Sequence, residues 1–98
     1  MKVFFRLKDI DDIQVEMGWK GGHQKVQEHI ICCNKEVIES MMNWGEDNGR
    51  KFWSDFKPEI IWETEPYYMI TKCAIKLEMS EEMAVLFRLK FGDGDGNI

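Results

Sequence analysis

Gln24-Lys25-Val26-Gln27-Glu28-His29-Ile30-Ile31-Cys32-Cys33 is the stretch on which the fold turns, because its apolar residues satisfy two periods at once. Val26, Ile30 and Cys33 recur as one stripe of a helix, whereas Val26, Glu28, Ile30 and Cys32 line one face of a strand. The β-branched pair Ile30-Ile31, the Gly21-Gly22 pair just upstream and a helix-start signal just downstream at Asn34 favour the strand.

Working outward, the N-terminal segment alternates. Val3, Phe5 and Leu7 fall on one side, and Lys2, Phe4, Arg6 and Lys8 on the other, which predicts a strand with its first group buried. After the break at Asp9 to Asp12, Ile13, Val15, Met17 and Trp19 resume the period of two and lead into Gly21-Gly22, a pair suited to a hairpin turn.

Downstream, Asn34 is placed to cap a helix whose stripe begins with Val37, Ile38, Met41 and Met42, with Glu36 near the positive end of its dipole. Gly45 and Gly49 weaken its second half, but Glu46 with Arg50 and Asp47 with Lys51 have favourable i,i+4 spacing. Phe52, Trp53 and Phe56 resume the stripe, so one helix or two abutting helices end before Pro58. Residues 59–64 and 68–79 read as a second pair of strands around Glu65-Pro66. In the latter, Thr71, Cys73, Ile75, Leu77 and Met79 face one way and Lys72, Lys76 and Glu78 the other. Ser80-Glu81-Glu82 opens a helix carrying Met83, Ala84, Phe87 and Phe91 and stopping at Gly92, although Phe87, Leu89 and Phe91 also alternate as in a strand.

The expected fold class is therefore α+β: a small antiparallel sheet of four to five strands with two helices packed on one face. Residues 1–92 form a single domain, since 98 residues support one core, and the Gly/Asp-rich residues 93–98 form a disordered tail.

Composition narrows the function. Thirteen basic residues against eighteen acidic ones give a net charge of −5, which disfavours nucleic acid as a partner and suits a basic groove on another protein. Three cysteines, two of them adjacent, do not make a disulfide framework. No apolar run approaches the roughly 18 residues a membrane span requires, so reduced thiols, a cytoplasmic location and no membrane partner are expected.

No cofactor or metal is expected. His23, His29, Cys32 and Cys33 are close in sequence but lack the paired spacing of a structural zinc site, and Asp93, Asp95 and Asn97 open a calcium-loop pattern that the remaining chain is too short to complete. With no phosphate loop and no nucleophile motif, the chain reads as a non-enzyme. The candidate partner-binding residues are the acids Glu36, Glu39, Glu46 and Asp47, with Trp44, Trp62, Tyr67 and Tyr68. Large aromatics (Trp53 among them) exceed the needs of a small core, and surface aromatics anchor partners. The alternative is a single-stranded nucleic-acid binder stacking bases on sheet aromatics near Lys72 and Lys76. Unpaired sheet edges leave monomer or homodimer open.

The run Ser80-Glu81-Glu82-Met83-Ala84-Val85-Leu86-Phe87-Arg88-Leu89-Lys90-Phe91-Gly92 resembles the closing element of small proteins encoded by tailed bacteriophages, which pair acids with a segment similar to A-x-L-F-x-L-K-F/W. That resemblance implies a small acidic module that binds a host protein in the host cytoplasm, a class that includes anti-CRISPR inhibitors of defence systems. It transfers no site residues.

Overall fold

The computed structural model of the chain describes residues 1–9, 22–64 and 70–92. Strands β1 (Lys2–Leu7), β2 (Glu59–Thr64) and β3 (Ile70–Glu78) form an antiparallel sheet in the order β1-β3-β2. The strand with the cleanest alternation is the central one, and its Cys73, Ile75 and Leu77 are fully buried. Register sets Val3 opposite Leu77, Phe5 opposite Ile75 and Leu7 opposite Cys73, with Ile60 opposite Ile75 on the other flank. Because strand side chains alternate, these residues share one face. That face joins the buried residues of the helices in a single core.

The helices are α1 (Gly22–Cys33), α2 (Lys35–Asp47), α3 (Phe52–Asp55) and α4 (Glu81–Phe91). The expectation of four to five strands with two helices is thereby corrected: the described residues hold three strands and four helices. The strand expected over 13–19, the turn at Glu65-Pro66, Tyr67, Tyr68 and the tail 93–98 lie outside the described residues.

Residues 24–33 form a helix rather than a strand. A strand burying Val26 and Ile30 on one face would bury Glu28 with them, and an unpaired buried carboxylate is costly. The helix buries Val26 and Ile30, four apart, and leaves Glu28 in water, where Gln24 Nε2 donates to its Oε1 at 3.2 Å. Four good helix formers, Gln24, Lys25, Gln27 and Glu28, outweigh the β-branched pair.

Asn34 separates α1 from α2, and its side chain makes no cap hydrogen bond. It is instead a buried tie between the helices and the end of β1. Its Oδ1 accepts from the Lys8 backbone N–H at 2.7 Å, and its Nδ2 donates to the Ile30 carbonyl at 2.9 Å and to the Lys8 carbonyl at 3.4 Å. One amide thus gives the Lys8 N–H its acceptor where strand pairing stops, and adds a donor to two carbonyls that the Asn34 N–H and the Cys73 thiol also reach.

At the far end of α2, Gly49 adopts φ 71°, the Arg50 N–H donates to the Gly45 carbonyl at 2.8 Å and the Gly49 N–H to the Glu46 carbonyl at 2.9 Å. This is a Schellman stop. It puts Arg50 and Lys51 outside the helix, so the expected i,i+4 pairs with Glu46 and Asp47 have no helix to support them. Gly45 serves packing: a Cβ there would sit 3.3 Å from the Phe56 ring. α4 starts as its sequence predicts, with Ser80 Oγ accepting from the Met83 N–H at 3.2 Å, and stops at Gly92 with φ 83°.

Candidate functional site

The outward face of α2 is built by periodicity. Ile38, Met41, Trp44 and Gly45 are buried, so residues on the opposite side of the turn face water. Glu36, Glu39, Glu46 and Asp47 are all exposed there, with Ser40 and Asn43 between them. The stripe extends roughly 16 Å at the helical rise per residue. Its one cation, Lys35, approaches Glu39 at 3.8 Å, a loose contact between exposed groups. One lysine against four acids leaves this face at −3. The short helix α3 packs against α2 and carries Trp53, about half exposed at 49%, whose ring meets Phe52 edge-on at 5.2 Å.

The aromatic candidates separate by burial. Trp44 is not a surface anchor: it is 9% exposed, stacked on Phe56 at 5.8 Å and met edge-on by Phe87 at 5.5 Å and Phe91 at 5.9 Å. The stripe Ile38, Met41, Gly45, with Trp44 three residues after Met41, was the signal for this. Trp62 pairs with Cys73 across the sheet and is half-buried against the core. Trp53 is the exposed tryptophan among the described residues, on the helix packed against α2, and sequence periodicity missed it because α3 is a single turn.

On the other sheet face, Lys2 lies opposite Glu78 and Lys72 opposite Glu63. Lys76 bonds Glu59 at 2.7 Å, and that hydrogen bond raises the pKa of its ammonium. With Trp62 turned to the core, Phe4 is the aromatic on the described part of this face. The lysines expected to flank stacked bases are set among carboxylates instead.

An open cleft of about 650 Å³ lies between the edge of β1 and the α1–α2 junction, lined by Arg6, Lys8, Cys32, Cys33 and Lys35 among others. The helical form of α1 puts His29 and Cys33 on neighbouring positions. No group of three His, Cys, Asp or Glu side chains among the described residues could hold a metal ion. Beneath the cleft, the Cys73 thiol donates to the Lys8 carbonyl at 3.2 Å. Its pKa is pushed from 9.0 to about 11, first by burial and then by the nearby Asp9 charge. A thiol held protonated is not a nucleophile. No helix among the described residues is long and apolar enough to cross a membrane.

Compared with known proteins, the chain matches no family model, no curated protein and no solved structure.

Proposed function

We propose that this chain is a non-enzymatic protein-interaction module that meets a basic surface on its partner through the acidic face of α2, with Trp53 as the adjoining apolar anchor. The observation that carries this reading is the concentration of four exposed acids on one helix face, with a half-exposed tryptophan on the short helix packed against that helix. Charge of one sign steers a complementary partner into register, and an aromatic side chain excluded from water supplies the binding energy that charge alone does not. The resemblance of residues 80–92 to phage-encoded proteins extends the proposal. The partner is a host protein with a basic groove, such as a defence-system component, and occupation of that groove inhibits it in the host cytoplasm.

The test is capture from nuclease-treated bacterial host lysate at low and high salt. Wild-type chain is compared with the quadruple variant Glu36→Gln, Glu39→Gln, Glu46→Gln, Asp47→Asn and with Trp53→Ala. The expected result is a near-stoichiometric protein that dissociates as salt rises and whose retention falls about tenfold or more in the quadruple variant. Equal retention by the wild-type chain and both variants would overturn the assignment of this face. Recovery of nucleic acid alone, from lysate not treated with nuclease, would overturn the protein-interaction reading itself.

A further inference from the structure

α4 carries apolar residues on both of its sides. Met83, Ala84 and Phe87 are buried in the core, whereas Val85, Leu86 and Leu89 are exposed at 54%, 40% and 78%. At 100° per residue the exposed trio centres on the side of the helix opposite the buried one. A surface helix ordinarily places polar residues there, and contiguous exposed aliphatics mark a contact surface.

Charge says what covers it. Along α4 the acids Glu81 and Glu82 occupy the first turn and the cations Arg88 and Lys90 the last, so the helix is neutral in a chain of net charge −5. A second copy docking on the α2 face would meet like charge. On α4, a second copy in antiparallel orientation meets opposite charge at both ends.

We infer that two copies of this chain associate through α4, antiparallel about a twofold axis that passes near Leu86. In such a pair residue i meets j and j meets i. Val85 of each copy then lies across from Leu89 of the other and Glu81 faces Arg88 along one flank, while Glu82, at the N-terminal end of the aliphatic face, meets the end of the partner helix that carries Lys90. The opposed helix dipoles favour the same orientation. Three aliphatic side chains per copy make a small contact, and the dimer is expected to be weak, with a dissociation constant on the order of 0.1 mM. This inference is independent of the acidic face of α2.

Sedimentation equilibrium of the full chain, from about 10 µM to about 1 mM, spans the expected transition. Wild type is expected to pass from monomer to dimer, and Leu89→Glu, at a largely exposed position that the core does not use, to stay monomeric. The variants Glu81→Lys/Glu82→Lys and Arg88→Glu/Lys90→Glu are each expected to stay monomeric alone and to dimerise when mixed, because mixing restores opposite charge at both ends. Circular dichroism checks that each charge variant remains folded, and Leu89→Glu decides the matter if one does not. A wild-type chain monomeric throughout, a dimer indifferent to Leu89→Glu, or folded charge variants whose mixture does not dimerise overturns the inference.

Discussion

α2 and α4 bury similar stripes in the same core and present opposite chemistry to water. The outer face of α2 is exposed acids with Ser40 and Asn43, whereas α4 exposes Val85, Leu86 and Leu89. A charged face acts at a distance and is screened by salt; an aliphatic face gains only when water is expelled. The two helices also begin differently. α4 is capped by its own Ser80, but the residue before α2, Asn34, spends its side chain on the end of β1. Inner faces built alike therefore say nothing about outer ones, and a polar residue at a helix start is not necessarily its cap.

The sharpest way to break this comparison is to cut each side of α4 in turn. Phe87 is 1% exposed and packs on Phe5 at 6.0 Å, Trp44 at 5.5 Å and Phe91 at 4.8 Å. Phe87→Ala is expected to cost about 3–5 kcal/mol in urea unfolding at low protein concentration, and Leu89→Ala under about 0.5 kcal/mol. Comparable losses would mean that the outer face is structural.

The helix starts come next. Asn34→Ala leaves the Lys8 N–H without its buried acceptor and is expected to cost about 2–3 kcal/mol. Asn34→Ser, which retains a capping hydroxyl but cannot span to Lys8, is expected to lose about as much. Ser80→Ala, the loss of a local cap, is expected to cost about 1 kcal/mol and Ser80→Asp almost nothing. Rescue of Asn34→Ala by serine would restore the capping role to residue 34.

A pH dependence bears on the same Lys8 node. The folded chain keeps the Cys73 proton to about 11 while the unfolded chain releases it near 9.0. Between those values the folded state binds more protons, so stability is full below pH 9.0 and falls as pH rises toward 11. Denaturant titrations across that window are expected to show a shallower fall for Cys73→Ala than for wild type. Parallel curves would remove the thiol from the account.

Much of the fold was legible. The period of two over β1 and β3, the cap at Ser80 and the stripe beginning at Ile38 each reflect a burial pattern written in neighbouring residues. Residues 24–33 were not, because Ile30-Ile31 carries a local preference that the solvation of Glu28 overrides. The candidate site was half legible. Four acids at helical spacing announce an exposed face and the stripe of Ile38 and Met41 places Trp44 inside, but no local pattern sets Trp53 at the surface.

The sequence by itself determined an acidic α+β chain, the polar outer face of α2 and the apolar residues on both sides of α4, since those follow from the order of side chains at 3.6 residues per turn. Tertiary structure alone decided that Asn34 binds Lys8, that Trp53 is left at the surface, and that a Cβ at Gly45 would crowd the Phe56 ring. Each of those depends on which distant backbone or ring arrives within a few ångströms, and contacts between residues far apart in the chain leave no local periodicity to read.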